Sequence, residues 1–259
     1  MSDINARPTA SGNAPSRRRR VLGHPLTHLL AALLVLGLTQ AFVVKLFMVP
    51  SGSMEQTLEV GDRILVNRLA YGPPGTHGTP SNGDVIVFTS DDELWPRSSS
   101  SDDGSLVASV KHGIKFVFGD LIGIGPTTGH TLVKRVIGTP GQTVECCSAA
   151  GKLMVDGVEI DEPYVYEDLP FEPGVLDCES TPASQRCFPA VTVPEGMLLV
   201  LGDHRSNSAD SVAACRGLTD ASLGASSGEA GCVHWARIDD VYGKAFVTVW
   251  PLGRVGAIE

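Results

Sequence analysis

Residues 131–137 read TLVKRVI, and alternation with a period of two sorts them into two faces. Leu132, Lys134 and Val136 share one face; Val133, Arg135 and Ile137 share the other. The run is a strand that carries one cation on each face. Similar short runs recur at Arg63–Asn67, Asp84–Phe88, Lys152–Asp156, Met197–Leu201 and Lys244–Trp250, each bounded by Gly, Asp, Asn or Pro. Asp156-Gly157, inside LMVDGVEI, predicts a two-residue hairpin turn. After residue 47 no long stretch holds a helical period. The predicted fold is mainly β, with antiparallel or mixed coiled sheets and long loops.

Three stretches interrupt the strands. Residues 89–129 contain DDELWPRSSSSDDGS, a polar surface loop by composition. Residues 146–195 hold four of the six cysteines and six prolines, and read as a β-rich, disulfide-stapled insertion. Val212 to Val233 is rich in small residues and bracketed by Cys215 and Cys232.

Before the strands, Pro25 to Val44 reads PLTHLLAALLVLGLTQAFVV, about twenty residues and enough for one helical crossing of a ~30 Å hydrocarbon core. Arg17–Arg20 precede it and Lys45 follows, which under the positive-inside bias places the N-terminus in the cytoplasm. A cleaved signal peptide is the rival reading. The run exceeds a ~7–15-residue signal core, and no small-x-small cleavage pattern follows it. The expected organisation is a basic cytoplasmic tail over residues 1–24, a transmembrane anchor over 25–47 and an extracytoplasmic β domain over 48–259.

Charge and cysteine usage fit that division. Of the net −9, residues 1–24 carry +4 and the remainder −13. An acidic exterior argues against nucleic acid as a partner, since that needs a basic footprint. An even number of cysteines in an exported domain favours disulfides, and without a CxxC spacing a zinc or thioredoxin-like site is a weak reading. The expected pairs are Cys215–Cys232, with Cys146 and Cys147 reaching Cys178 and Cys187, because adjacent cysteines are not expected to bond to each other.

Two residues invite a chemical reading. Ser53, in Pro50-Ser51-Gly52-Ser53-Met54, fits a helix-capping box with Gln56 three residues on. The same serine, a few residues beyond an apolar span, could be a nucleophile that meets substrates emerging from a membrane. The Gly-x-Ser-x-Gly elbow is missing, which counts against an α/β-hydrolase. Lys134, flanked by Leu132 and Val136, is a candidate for desolvation, which lowers a lysine pKa and frees its amine to act as a base. Read alone, such a lysine projects to solvent. Asp203-His204 lies near Ser206, Ser208 and Asp210, but neighbours along a chain rarely point at one another, so that run is no triad by itself. His112, His130 and His234 read as isolated surface or packed histidines.

Four blocks place these residues in a pattern: PSGSMEQTLEVGDRILVNRLAYG (50–72), NGDVIVF (82–88), KRVIGTPGQTVE (134–145) and GDHRSNSADS (202–211). In this order, behind an apolar N-terminal span, they closely resemble the bacterial type I signal peptidases, or leader peptidases. The resemblance implies a serine endopeptidase of the Ser–Lys type in the plasma membrane, near the secretion translocon, acting on preproteins after Ala-x-Ala-like sites. It implies Ser53 as nucleophile, Lys134 as general base, and Ser51 with the Ser53 N–H as oxyanion hole. Ser208 is the implied orienter of the lysine; Asp203, Arg205, Asp210 and Arg135 are a supporting polar network. No cofactor or metal is implied.

The pattern has departures. Gln56 stands where proline is common, Ser206 replaces a frequent aspartate, and Val212 replaces an arginine that often pairs with the residue matching Asp210. Arg216 is the substitute if its loop folds back. Two other readings compete: a self-cleaving repressor-type Ser–Lys protease, disfavoured by the absence of a DNA-binding module, and an inactive anchored β domain that binds exported proteins.

Overall fold

A computed structural model describes residues 24–72, 78–89, 131–218 and 231–259. The long polar loop beyond Thr89, the arginine run, His112 and His130 lie outside the described residues. The chain divides into two compact units, Met1–Leu38 and Thr39–Glu259. Helix α1 is Pro25–Phe42, with proline at its first position, where a missing N–H does no harm. His24 caps it, its ring Nδ1 accepting from Leu26 N–H at 3.3 Å. Among the described residues no helix is long and apolar enough to cross a membrane. The helical span expected to reach residue 47 stops at Phe42, because the next residues are drawn into a sheet.

Among the described residues that sheet has eight strands. β1 (Val44–Met48), β2 (Arg63–Asn67), β3 (Val85–Thr89), β4 (Thr131–Gly138), β9 (Met197–Leu201), β10 (Ala236–Arg237) and β11 (Val241–Trp250) run in the order β1-β2-β11-β3-β4-β9-β10, and β12 (Gly256–Ala257) adds to β11. The pairings between them are antiparallel. β11 spans ten residues and serves β3 with its first half and β2 with its second. The strand shifts register at Gly243, where a Cβ would sit 2.2 Å from Asn67 O, so only glycine lets the two backbones pass.

A second sheet has the order β7-β6-β5-β8, from β5 (Thr143–Cys146), β6 (Leu153–Val155), β7 (Val158–Glu159) and β8 (Phe188–Thr192). Asp156 and Gly157 lie at positive φ in its hairpin turn. Ile137, Leu199 and Leu201 of the large sheet pack against Val144, Leu153, Val155, Phe188 and Val191 of the small one in a single core.

The disulfides correct part of the sequence reading. Cys215–Cys232 forms as expected, but Cys146 bonds to Cys147 and Cys178 to Cys187. The expectation put the right cysteines together with the wrong partners. The sulfurs of Cys147, Cys178 and Cys187 lie within 4.8 Å of one another, because the β5–β8 pairing sets Cys146 opposite Phe188. Each is in a disulfide, so none offers a thiolate to a metal.

Candidate active site

Ser53 sits in a single 3₁₀ turn, Gly52–Met54, not at the start of an α-helix. The capping-box reading therefore fails: Gln56 has a φ of 74°, which breaks any helix before it can propagate. What holds the turn is apolar. Met54 and Leu58 are buried in a core with Phe47, Val49, Ile64, Val66, Val85, Val87 and Val133, and side chains of this size each contribute about 1.5–3 kcal/mol on burial. With Met54 pinned inward, Ser53 is held against β4.

Lys134 lies at the middle of β4, paired with Ile86, and every residue from Val133 to Gly138 is buried. Both faces of this strand are covered, which is why Lys134 is only 2% exposed. Its Nζ hydrogen-bonds Ser53 Oγ across 81 positions of sequence. Burial lowers the Lys134 pKa from 10.5 to about 8, while the negative charges of Asp210 and Asp203 pull it back up. Ser51 Oγ lies 3.5 Å from Ser53 Oγ on the exposed side. A hydroxyl beside an amine base, with a second hydroxyl and a backbone N–H close by, can cleave an amide bond through an acyl-enzyme.

Of the supporting residues, Asp203, Arg205, Ser208 and Asp210 follow β9, and Arg135 lies on β4. Asp203 accepts from Arg135 Nε at 2.9 Å and Nη2 at 2.7 Å, and from Thr57 Oγ1 at 2.7 Å. Arg135 also donates to Gly83 O and lies over the Tyr164 ring at 3.8 Å. Arg205 donates to Gly202 O at 3.0 Å and forks onto Glu162 at 2.5 and 3.3 Å. Such buried bidentate pairs orient a loop more than they stabilise it.

Asp210 does find a counter-ion. Arg216 Nη2 reaches its two oxygens at 3.3 and 3.1 Å, so the loop folds back and Arg216 fills the place of the arginine absent at Val212, which is fully buried. Ser208 Oγ is buried without a hydrogen-bond partner among the described residues, and so makes no bond to Lys134. It still adjoins the site: a Cβ at Gly202 would meet Ser208 Oγ at 2.3 Å and Ser53 O at 2.4 Å.

Sequence reasoning missed Thr57, Glu162, Tyr164 and the side chain of His204. Only the fold brings Glu162 and Tyr164 to the 203–205 loop, where Tyr166 N donates to Asp203 O and Arg205 N to Tyr166 O. Ile86, which pairs with Lys134, is fully buried, and Phe47 is 3% exposed and belongs to the core.

Comparison with known proteins gives the family. Residues 23–250 match the family model described as signal peptidase, peptidase S26. A probable signal peptidase I of Mycobacterium leprae (strain TN) is 38% identical over 228 residues, covering 84% of this chain and 72% of that one. Signal peptidase I of Mycobacterium tuberculosis (strain ATCC 25618 / H37Rv) is 37% identical over 227 residues, covering 84% and 69%. A solved signal peptidase I from Enterococcus faecalis V583 aligns over 64% of this chain and 95% of that one at 23% identity, with a TM-score of 0.30, a likeness too slight to bear on the fold. The chain belongs to the signal peptidase family, peptidase S26, and is a serine protease of the signal peptidase I class.

Proposed function

We propose that this chain removes N-terminal signal peptides from exported preproteins, with Ser53 as nucleophile and neutral Lys134 as general base. The observation that carries the reading is the buried hydrogen bond from Lys134 Nζ to Ser53 Oγ. A desolvated amine with a pKa near 8 is neutral in a substantial fraction close to physiological pH, so it can take the Ser53 proton as Oγ attacks the scissile carbonyl. Ser51 Oγ–H and the Ser53 N–H face the developing oxyanion; a donor of this kind is typically worth 10²–10³ in turnover. Collapse of the tetrahedral intermediate expels the amine of the mature protein, which takes its proton from Lys134. Water activated by the same amine then releases the signal peptide from Ser53.

Asp203, Arg135, Arg205, Asp210 and Ser208 support this pair without touching the reacting atoms. The substrate preference for Ala-x-Ala-like sites rests on the family resemblance. So does a place in the plasma membrane near the translocon.

The helix Pro25–Phe42 is the proposed anchor, whereas residues 44–47, which were expected to belong to it, form part of β1. Leu29, Leu30, Leu33, Leu34 and Leu36 of that helix are all more than half exposed, and a helix apolar on every side suits apolar surroundings. Confinement to the substrate's own membrane raises the effective concentration of the pair. Carbonate extraction of membranes tests the anchor: the full chain stays in the pellet, and recovery in the supernatant removes that part of the proposal.

The decisive experiment is cleavage of a signal-peptide-bearing precursor by detergent-solubilised protein, beside Ser53→Ala and Lys134→Ala. Loss of either member lowers turnover on the order of 10⁶. Cleavage by Lys134→Ala at the wild-type rate ends the mechanism. The non-enzymatic reading, an anchored domain that only binds exported proteins, requires the wild-type protein to leave the precursor intact.

A further inference from the structure

We propose that His204 is a positioning residue that aims the Ser53 N–H at the oxyanion, acting through the Gly52–Ser53 peptide bond; this rests on the function proposed above. The imidazole is 6% exposed. Its Nδ1 faces Gly52 O at 3.2 Å and Glu55 Oε2 at 2.7 Å, and its Nε2 faces Glu167 Oε2 at 3.1 Å. A carbonyl oxygen only accepts, so the bond to Gly52 O places a proton on Nδ1. The Tyr166 ring meets the imidazole edge-on at 5.0 Å and fixes its plane.

The consequence follows from peptide geometry. Gly52 C=O and Ser53 N–H belong to one planar, trans unit and point in opposite directions. Fixing the carbonyl therefore fixes the direction of the N–H. The next carbonyl is held as well: His204 N–H donates to Ser53 O at 3.1 Å. His204 thus contacts the carbonyl on each side of Ser53, by its ring before and by its backbone after, and shares the first with Glu55 N–H, which donates to Gly52 O at 3.1 Å. A proton donated to the Gly52 carbonyl also polarises that peptide and strengthens its N–H as a donor.

Glu55 completes the clamp. Its carboxylate folds over Gly52 so closely that a Cβ there would lie 2.4 Å from Glu55 Oε1. Glycine at 52 leaves room for the acid to reach the imidazole. None of these residues meets the scissile bond.

Asparagine carries an N–H donor at nearly the place of Nδ1, and leucine has the same shape without one. On the precursor assay, His204→Leu is expected to lower kcat ~10–100-fold with KM within about twofold, since the oxyanion donor is misdirected and not removed. His204→Asn is expected to recover to within about fivefold of wild type. A peptide aldehyde that forms a tetrahedral adduct on Ser53 should lose affinity in His204→Leu by the same factor as kcat. Binding of an uncleaved precursor, measured on a Ser53→Ala background, should not change.

Equal kcat in His204→Leu and wild type overturns the proposal, as does a fall that His204→Asn fails to rescue. If His204→Leu does not fold, His204→Asp replaces it, since it differs from His204→Asn by presenting an acceptor in place of the donor; equal activity of those two overturns the proposal. An inert wild type, or an active Ser53→Ala, refutes instead the function on which the inference stands.

Discussion

Lys134 Nζ donates to Ser53 Oγ in a site where the lysine is 2% and the serine 7% exposed. Water is thereby kept from the amine, and on the proposed mechanism this exclusion makes Lys134 usable as a base near neutral pH. It also sets how the enzyme must respond to acidity. On the proposed mechanism the fraction of amine able to accept the serine proton falls as pH drops through about 8 and grows above it. Cleavage rates under kcat/KM conditions should therefore climb through a midpoint near 8. A midpoint near ~10.4, the value of a free lysine, would show that burial does not perturb the amine.

The same burial bears on stability. A lysine whose folded pKa lies below its unfolded value binds its proton less well in the fold, so the fold is penalised at pH values below about 8. The penalty disappears as pH rises toward the unfolded value. A downward shift of this size corresponds to roughly 3 kcal/mol at neutral pH. Lys134→Met removes the buried charge and keeps much of the volume. That variant should be inactive and yet unfold at a higher temperature than wild type at pH 7, with the gain shrinking at pH 10. A lower Tm at pH 7 would mean that the hydrogen bond to Ser53 outweighs desolvation.

Arg216 should tune this base from a distance. Asp210 favours the charged lysine, and Arg216 offsets that charge at 3.1 Å. Arg216→Gln leaves Asp210 unopposed, so the Lys134 pKa rises and the activity profile moves to higher pH. Cys215 is joined to Cys232 and adjoins Arg216, so Cys215→Ser with Cys232→Ser should shift the profile in the same direction. Profiles that superimpose on wild type would leave Arg216 with no electrostatic role.

Gly202 marks the closest approach between the nucleophile turn and the supporting loop. An added methyl would lie 2.4 Å from Ser53 O and 2.3 Å from Ser208 Oγ, and the first of these is backbone that cannot step aside. Gly202→Ala should destabilise the protein by about 1–3 kcal/mol, the usual range for overpacking, and lower kcat more than it raises KM. Chemical denaturation and steady-state kinetics measure both. An active variant of wild-type stability would show that the turn is free to move.

Ser51 and Ser208 should separate by severity. Ser51→Ala removes a hydroxyl beside the reacting oxygen and is expected to lower kcat by about 10²–10³. Ser208→Ala removes a hydroxyl with no partner among the described residues, and a loss below tenfold is expected. Equal losses would mean that Ser208 bonds to the lysine during turnover.

The sequence by itself determined the β character of the chain and both members of the central pair. Alternation in TLVKRVI is a local property, readable without knowing what lies above or below the strand. The order of the four blocks carried Ser53 and Lys134 together, although 81 positions separate them. The tertiary structure decided the rest. Whether Lys134 faced solvent or core depended on β4 being covered on both faces, which no single strand can reveal. That Cys146 bonds to Cys147 and Cys178 to Cys187 is visible only in the folded chain. His204 meets Gly52 and Glu55, and Tyr164 lies against Arg135, only because loops distant in sequence close over the nucleophile turn. Strand periodicity is written residue by residue, whereas a contact between separate loops exists only after the sheets have fixed where those loops begin and end.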